Sequence, residues 1–423
     1  MAEARRHEPT ERIEADYTIE TGIDPVDAVE AMAGEQSSGT FVPVPGETPE
    51  LRERSAARVE AVRLLDHDGR PSLPGAVVGT GKVRRARVTL SWPLENIGAS
   101  LPNLVATVAG NLFELKQFSG LRLEDLRLPD AFAKRYGGPK FGIEGTRRLA
   151  GVAQRPLIGT IIKPSIGLDA EATASLTRTL IDADIDFIKD DELQSDGAVC
   201  PFDLRAGAVL TEVRTGAEKN GRKTMFALNI TGELDEMRRR HDLVRDLGGT
   251  CVMVSLNSVG LVGFIEIARH AQLPIHAHRN GWGYLSRHPM LGWSFAAWQK
   301  IWRIAGADHM HVNGLQNKFS ESDESVITSA KECLTPLSAD NPCLAVPVFS
   351  SGQTARQVPA TYKALESTDL IYAAGGGIMA HPDGPAAGVA SLKQAWEATV
   401  GDIPLAVFAN RHNELARALE RYA

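Results

Sequence analysis

The feature that most constrains this chain is a repeated alternation of short apolar runs with helix-like stretches, which begins near Leu157. The apolar runs are rich in β-branched residues and end in polar or glycine-containing turns, as in parallel β/α architecture. Successive run ends lie about 20 to 40 residues apart, a spacing that suits βα units. The pattern therefore predicts an α/β fold with a C-terminal (β/α)8 TIM barrel. Its strands are predicted at residues 157–163, 186–189, 225–230, 251–256, 274–277, 308–312, 344–349 and 370–374.

The residues before the barrel have a different character and predict a smaller α+β domain. A length of 423 residues suits two domains of this kind. We place the N-terminal domain at residues 1–136 and the TIM-barrel catalytic domain at residues 137–423, with the glycine-rich stretch 137–145 as the linker. Other predicted elements are a helix at 25–33, strands near 56–65 and 85–92, an amphipathic stretch at 101–109, and final barrel helices at 386–400 and 405–421.

Charge and composition narrow the class of protein. The chain has 53 acidic and 46 basic residues, a formal net charge of -7, and its basic residues are scattered. A nucleic-acid-binding domain would be strongly basic, so no nucleic-acid partner is expected. No apolar run reaches the roughly 18 residues needed to span a bilayer, and we expect a cytoplasmic protein with no membrane partner. The four cysteines are widely spaced and are expected to be reduced and mostly buried.

Polar residues follow nearly every predicted strand. Active-site groups of βα barrels come from the carboxyl ends of the strands, so this distribution predicts an active site at that rim. The residues concerned are Lys163, Lys189, Asp190, Asp191, Glu192, Asn229, His276, His278, Arg279, His309, His311, Asn313, Lys318, Ser350, Ser351, Gly352, Gly375, Gly376 and Gly377.

The run Lys189 to Glu192 (KDDE) is the most informative of these segments. Asp191 and Glu192 offer the oxygen ligands that Mg²⁺ prefers, whereas an adjacent lysine would repel a cation. Two interpretations remain open on the residues alone. Either CO2 converts the Lys189 amine to an anionic carbamate ligand, or Lys189 forms an ion pair with a neighbouring acid. The triple glycine Gly375 to Gly377 leaves backbone N–H groups accessible to an anion.

In order and content, these segments resemble the large subunit of ribulose bisphosphate carboxylase. The resemblance runs from about Gly34 to the end of the last barrel helix and covers both predicted domains. The matching segments are GTIIKPSIGL (159–168), FIKDDE (187–192), HAHR (276–279), ADHMH (307–311), GGGIMAHP (375–382), EQSSGTF (35–41) and GNLF (110–113).

The resemblance implies roles for the matching residues. Lys189, as a carbamate formed with CO2, would bind one Mg²⁺ per subunit together with Asp191 and Glu192. Lys163 would be the base that handles the proton of an enediolate, and His278 would line the substrate site. The mobile-loop residue Lys318 would position a carboxyl group, and the remaining residues would contact the substrate or its phosphate: Arg279, His311, Ser351, Gly352, Gly375, Gly376 and Gly377.

The same resemblance implies a homodimer or a dimer-based oligomer. Glu35, Thr40 and Asn111 would reach the active site of the partner subunit, so a single chain would not form a complete site. The expected partners are therefore a second copy of the chain and a phosphorylated small-molecule substrate. No small subunit is expected.

Several departures from the family motifs argue against ribulose bisphosphate carboxylation. Ser165 stands where the family has a second lysine, and Gln353 stands where a phosphate-contacting glycine is expected and should obstruct one phosphate pocket. Phe41 replaces a tryptophan, and the loop VNGLQNKF (312–319) replaces SGTVVGKL. The chain is thus similar to the form IV, RuBisCO-like proteins.

Enediolate chemistry on a phosphorylated keto sugar acid is the activity implied. The favoured substrate is 3-oxo-isoapionate 4-phosphate of D-apiose and D-apionate catabolism, which would be decarboxylated, or transcarboxylated and hydrolysed. One alternative is methionine salvage, as the 2,3-diketo-5-methylthiopentyl 1-phosphate enolase or the 5-methylthioribulose 1-phosphate isomerase. That enolase carries a lysine base near the position of Asn111. A catalytically silent regulatory or scaffold barrel is the alternative from another class.

Overall fold

The computed structural model describes residues 11–39, 44–66, 69–77 and 82–422. The chain divides into two compact units, and two later segments of the chain group with the N-terminal residues. The first unit comprises Met1–Tyr136, Trp282–Ile301 and Leu337–Pro342, and the second comprises Gly137–Gly281, Trp302–Pro336 and Cys343–Ala423.

A five-stranded mixed sheet forms the centre of the first unit. With elements numbered along the chain, its strands are β1 (Arg12–Thr21), β2 (Arg58–Leu65), β3 (Arg84–Pro93), β4 (Phe118–Arg127) and β10 (Leu291–Trp293). The order is β10-β4-β1-β3-β2, and only the β10–β4 pair is parallel. The helices of this unit are α1 (Pro25–Glu35), α2 (Pro49–Ser55), α3 (Leu101–Ala109), α4 (Asp130–Tyr136) and α10 (Trp282–Ser286), with 3-10 turns at Leu94–Asn96 and Asn111–Glu114.

The structure confirms the predicted α1, β2 and β3, and the amphipathic stretch at 101–109 forms α3. The sequence did not predict β1, β4 or β10. In β1, the fully buried side chains of Ile13 and Tyr17 alternate with charged residues. The charged side chains of Glu14 and Asp16 pair with Arg127 on β4 at 2.7 and 2.6 Å. Cross-strand ion pairs of this kind are compatible with a strand, so a high density of charge concealed one here.

Eight parallel strands close into the predicted barrel in the second unit. They are β5 (Leu157–Ile161), β6 (Phe187–Lys189), β7 (Met225–Asn229), β8 (Cys251–Ser255), β9 (Ile275–His278), β11 (His309–His311), β12 (Val346–Phe349) and β13 (Ile371–Ala373). Each strand pairs with the next in this order, and β13 pairs with β5. All eight predicted strands are therefore confirmed, and the segment that contains β10 lies between the fifth and sixth strands of the barrel.

Helices follow the barrel strands along the chain. They are α6 (Ala170–Asp182), α7 (Phe202–Asn220), α8 (Leu234–Asp246), α9 (Leu256–His270), α11 (Phe295–Ala305), α12 (Asp323–Cys333), α13 (Val358–Leu365), α14 (Gly376–Met379), α15 (Gly384–Val400), α16 (Leu405–Ala409) and α17 (Asn413–Arg421), with a 3-10 turn at Ala355–Gln357. The prediction of a single helix at 405–421 was wrong, because the backbone leaves the helical region at His412. There the His412 ring stacks on Phe408 with the ring centroids 3.9 Å apart, and its Nδ1 lies 2.8 Å from the Phe408 carbonyl oxygen.

The predicted linker is wrong in its second half, since residues from Gly142 onward form helix α5 (Gly142–Ala150). The N–H groups of Phe141 and Gly142 donate to Oδ1 of Asp308 at 2.7 and 2.9 Å, and the N–H of Ile275 donates to Oδ2 at 2.9 Å. Asp308 directly precedes β11, so α5 is attached at the amino ends of the strands. Ala150, at the end of α5, belongs to the buried cluster that fills the barrel.

Apolar side chains fill most of the barrel interior, and the buried rings of His276 and His309 pack against Phe187 there. A Cβ atom on Gly159 of β5 would lie 2.9 Å from the Phe187 ring, so glycine at this position makes room for the phenylalanine of the neighbouring strand. The other inward-facing members of the cluster are Leu157, Ile161, Met225, Ala227, Cys251, Met253, Val346, Val348, Ile371 and Ala373. A filled interior leaves the carboxyl ends of the strands as the place for a site.

The four cysteines are buried and have free thiols, in agreement with the sequence. Within the residues that the structure describes, none of the helices combines the length and the apolar character that a bilayer span requires.

The Asp308 anchor predicts a pH dependence of stability. Burial raises the pKa of Asp308 from its ordinary 3.8 to about 6, although the three N–H donors oppose the shift. A carboxyl group whose pKa is raised on folding stabilises the protein most below about pH 4, and this stabilisation is lost as the pH rises through about 6. Over two pKa units the loss is about 3 kcal/mol.

We expect the variant Asp308→Asn to lack this loss between about pH 4 and 6.5. It should also be about 1–3 kcal/mol less stable at the acidic end, because an amide nitrogen cannot accept the N–H of a neighbour. Thermal unfolding followed by circular dichroism across this pH range measures both effects. Asp235→Asn, at a side chain that is 97% exposed, is the matched control. A wild-type pH slope in Asp308→Asn would contradict the prediction.

Candidate active site

The carboxyl ends of the barrel strands bring most of the predicted site residues to one rim. Lys189 and His278 are the last residues of β6 and β9, and Arg279 follows directly. Lys163 lies just past β5, where the N–H of Ile162 donates to the Lys189 carbonyl oxygen at 3.0 Å. Strand pairing therefore continues to the point at which these side chains leave the sheet.

Lys163 forms an ion pair with Asp191 across the ends of β5 and β6. Its Nζ donates to Oδ2 of Asp191 at 2.6 Å and to the Ser165 hydroxyl at 2.7 Å. Burial of Asp191 opposes its ionisation, but the Lys163 ammonium and the N–H of Leu193 outweigh this effect and lower the pKa of Asp191. Ser165, one of the departures from the family motif, thus contacts the lysine that the resemblance marks as catalytic.

Lys189 is buried at the centre of the rim. Its Nζ donates to the Asp190 carbonyl oxygen at 2.8 Å, and it lies 3.6 Å from Sδ of Met253 and 3.7 Å from Oε2 of Glu192. Burial lowers the pKa of Lys189 because it penalises the ammonium form, and nearby Lys163 adds to the effect. The neutral amine is therefore more accessible than in an exposed lysine.

Asp190 is the acid of the KDDE run that was not expected to bind metal, and its partners are structural. Asp190 is buried, and its Oδ2 accepts the N–H of Asn229 at 2.9 Å and the Nε–H of Arg205 at 3.2 Å. Asn229 also donates from Nδ2 to the Glu192 carbonyl oxygen at 3.3 Å. Asp190 and Asn229 thus fix the position of the backbone that carries the carboxylates of Asp191 and Glu192. The tetrapeptide alone did not reveal the role of Arg205.

Two histidines of the rim, His278 and His311, lie next to each other, and His278 also lies next to Glu192. Nε2 of His278 lies 3.5 Å from Oε2 of Glu192, and Nδ1 lies 3.3 Å from Oδ1 of Asn280. Burial and the charge of Lys189 lower the pKa of His278 to about 4. The ring of His311 lies 4.7 Å from that of His278, and burial likewise lowers its pKa. Both imidazoles are therefore neutral at neutral pH.

A second cluster is centred on the buried side chain of Arg279. Its Nη2 pairs closely with Oε2 of Glu321, which also accepts a hydrogen bond of 2.7 Å from Nδ2 of Asn313. The Ser351 hydroxyl donates to Oδ1 of Asn313 at 2.8 Å, and the Ser350 hydroxyl contacts Nε2 of His311. The sequence pattern did not predict Glu321, because this residue lies well down the loop after β11, where the strand ends give no signal.

The loop after β11 places Lys318 beside the loop after β12. The N–H of Lys318 donates to the Ser351 carbonyl oxygen at 3.2 Å, and Gly352 lies next to it. The Lys318 side chain is exposed, with Nζ 5.2 Å from the centre of the Phe319 ring. Its backbone is thus at the rim, while its ammonium is directed along the loop.

The triple glycine lies close to Lys163. A Cβ atom on Gly375 would be 3.9 Å from Cε of Lys163, and one on Gly377 would be 2.4 Å from the Gln353 carbonyl oxygen. Gly376 has open space at this position. The absence of side chains from this turn thus leaves room beside the lysine and allows a close approach of two loops.

Gln353, which was expected to obstruct a phosphate pocket, has its side-chain amide bonded inside the protein. Its side chain is fully buried, with Nε2 donating to the Leu315 carbonyl oxygen at 2.9 Å and Oε1 accepting from the Tyr372 hydroxyl at 3.3 Å. The Tyr372 ring packs edge-on against Trp396 of α15. The amide of Gln353 is therefore held between the loop after β11 and strand β13.

Two of the predicted trans-acting residues meet in the first unit. Glu35 ends α1 and Asn111 begins a 3-10 turn, and Nδ2 of Asn111 lies 3.5 Å from Oε1 of Glu35. Thr40 and Phe41 lie outside the described residues.

Two family models together match most of the chain. The catalytic-domain model of the ribulose bisphosphate carboxylase large chain matches residues 142–422, and the N-terminal-domain model of the same chain matches residues 7–132.

Similar proteins match along nearly the whole length. A 3-oxo-isoapionate-4-phosphate transcarboxylase/hydrolase from Xanthobacter autotrophicus is 60% identical over 410 residues, covering 97% of this chain and 99% of that protein. A 3-oxo-isoapionate-4-phosphate decarboxylase from Rhizobium rhizogenes is 44% identical over 412 residues, covering 96% and 98%. The crystal structure of a rubisco-like protein from Burkholderia fungorum has a TM-score of 0.91 at 50% identity, covering 97% of this chain and 99% of that one. This chain belongs to the ribulose bisphosphate carboxylase large-chain family, in its RuBisCO-like, form IV group.

Proposed function

We propose that this protein is a 3-oxo-isoapionate-4-phosphate transcarboxylase/hydrolase. The observation that carries the proposal is its 60% identity, along 97% of the chain, with the Xanthobacter autotrophicus protein of that activity. The site residues support it, since a rim of cationic side chains next to paired carboxylates suits an anionic keto acid.

The residues at the end of β6 fit a magnesium ion. Asp191 and Glu192 supply carboxylate oxygens, and the buried Lys189 has the lowered pKa that favours reaction of its neutral amine with CO2. The resulting carbamate would add a third anionic oxygen and would remove the positive charge that otherwise repels a cation. Magnesium bound there supplies Lewis acidity for the oxygen on which negative charge develops.

The substrate needs a proton donor more than a base. It is a β-keto acid, so loss of CO2 leaves the bonding electron pair on an enediolate without prior removal of a C–H proton. The Lys163 ammonium, held by Asp191 at 2.6 Å and 40% exposed, is placed to protonate or stabilise that enediolate. In this reaction Lys163 would therefore act as a general acid, whereas the resemblance to the family implies a base at this position.

Other residues would hold the two anionic ends of the substrate. Arg279, with neutral His311 nearby, would bind the phosphate, and the glycines of the 375–377 turn leave space for further phosphate contacts. Ser351 and Gly352 would complete this side of the site. Lys318 would attend the departing carboxyl group when its ammonium turns away from Phe319.

Transcarboxylation would differ from simple decarboxylation in the fate of the enediolate. If the site retains CO2 long enough for carboxylation at the adjacent carbon, addition of water and cleavage of a carbon–carbon bond would release phosphoglycerate and a two-carbon hydroxy acid, with no net loss of CO2. The decarboxylase of Rhizobium rhizogenes, at 44% identity, makes plain decarboxylation the second candidate. The methionine-salvage enolase has less support, because Asn111 provides no base at its position.

The first prediction from this proposed function concerns turnover of the substrate. Incubation of the purified protein with 3-oxo-isoapionate 4-phosphate, Mg²⁺ and bicarbonate should release phosphoglycerate. A coupled assay measures the phosphoglycerate, and the release of CO2 is measured in parallel. Lys163→Met should lower kcat by about 10² to 10⁴, the usual contribution of a general acid or base. Lys331→Met, at an exposed lysine on α12, is the control of equal charge change. Release of CO2 alone would select the decarboxylase, and release of neither product would remove the proposal.

The second prediction concerns carbamate formation on Lys189. With ¹³C-labelled bicarbonate and Mg²⁺, a carbamate signal should appear in the ¹³C NMR spectrum. At constant free CO2 the signal should grow as the pH rises through the lowered pKa of Lys189, because only the neutral amine reacts. Lys189→Met should lose the signal, whereas Lys163→Met should keep it. A signal that survives in Lys189→Met would place the carbamate elsewhere.

The third prediction concerns assembly of the site from two subunits. If Glu35 acts in the partner's site, the variants Glu35→Gln and Lys163→Met are each inactive as homodimers but restore one intact site in a hybrid dimer. Random reassortment should then recover about a quarter of wild-type activity, since half of the dimers are hybrids with one working site. Mixing Lys163→Met with Lys189→Met is the control and should recover nothing. No recovery in the first mixture would refute action in trans.

A further inference from the structure

The position of Glu321 is not explained by the family motifs. Its carboxylate is 13% exposed and receives donors from three elements: the guanidinium of Arg279 after β9, Nδ2 of Asn313 after β11 at 2.7 Å, and the Ser325 hydroxyl of α12 at 2.8 Å. Both of its oxygens are used. Such a well-bonded carboxylate is held in a preferred position and is not a freely moving surface acid.

The donors that hold Glu321 are the donors that would recognise an anionic ligand. Asn313, on the same loop as Glu321, is linked through Oδ1 to the Ser351 hydroxyl at 2.8 Å. Glu321 is thus connected to the loops after β9 and β12. A carboxylate and a phosphate use the same type of charge-assisted hydrogen bond to arginine. Glu321 thus competes with any anion that approaches Arg279.

We propose that Glu321 is a specificity-determining residue whose carboxylate acts as an internal competitor at Arg279 and restricts that position to phosphate. The inference rests on the proposed role of Arg279 in binding the substrate phosphate. An arriving carboxylate would only replace one carboxylate by another, with no gain in charge or in acceptor oxygens. A phosphate dianion carries more charge and more acceptor oxygens, so it gains from the exchange.

This selection would orient the substrate. The proposed substrate has a carboxylate and a phosphate, and binding in the reverse direction would put the carboxylate at Arg279. Glu321 penalises that direction, and the penalty leaves the carboxylate for the side of the rim that carries Lys163.

The test uses inorganic phosphate as the probe at about pH 8, with Kd measured by isothermal titration calorimetry on the full-length protein. Glu321→Gln should bind phosphate roughly tenfold more tightly than the wild type, because the competing charge is removed while a side chain of the same shape remains. Glu324→Gln changes the same charge on the same segment at an exposed position and should leave Kd unchanged. Unchanged or weaker phosphate binding in Glu321→Gln would overturn the proposal.

A second variant avoids any change of charge and covers the case in which Glu321→Gln folds poorly. Ser325→Ala removes one of the hydrogen bonds to the Glu321 carboxylate, and it should tighten phosphate binding about twofold to threefold. An unchanged Kd in Ser325→Ala, if Glu321→Gln cannot be purified in folded form, would count against the proposal.

Arg279→Met separates the phosphate role of Arg279 from the competition by Glu321. If it loses phosphate binding while Glu321→Gln behaves as the wild type, only the competition fails and the phosphate role of Arg279 stands. If Arg279→Met binds phosphate as the wild type does, both the competition and the proposed phosphate site are wrong.

Discussion

Closure of eight parallel strands into one barrel is the constraint on which the site depends. Because the strands are parallel, all their carboxyl ends meet at a single rim, and groups far apart in the sequence come within hydrogen-bonding distance there. Lys163 and Asp191 are in contact for this reason, as are Arg279 and Asn313 with Glu321. Helix α5 is attached at the opposite end of the barrel, where Asp308 precedes β11.

Electrostatic balance at the rim follows from burial. Three cations of the site each lie near a carboxylate: Lys163 near Asp191, Lys189 near Glu192, and Arg279 near Glu321. The histidines between them are neutral because burial lowers their pKa values. Without a ligand, the positive charges of the site are therefore neutralised by carboxylates of the protein itself. A cation becomes available to a ligand when a metal binds its carboxylate or a substrate anion displaces it.

The sequence predicted the barrel and most of the rim because both leave local signals. Strands such as Met225–Asn229 are short apolar runs, and polar residues follow them directly. Other features depend on contacts between distant segments and have no local pattern. The strand at Arg12–Thr21 was missed because its charges pair with β4. Glu321 was missed because it lies well down the loop after β11, and its partner Arg279 follows another strand. The position of the Gln353 amide likewise depends on a distant contact, with Tyr372 of the next strand of the barrel.

The strand β10 has a consequence for the order in which the chain can fold. It pairs in parallel with β4 through Leu291–Trp293, and the N–H of Ser294 donates to the Leu123 carbonyl oxygen at 2.8 Å. During synthesis β4 remains an open edge until these residues emerge, by which time five barrel strands have left the ribosome. The N-terminal sheet is therefore completed late, after most of the barrel has been made, although its first strand is among the earliest segments of the chain to appear.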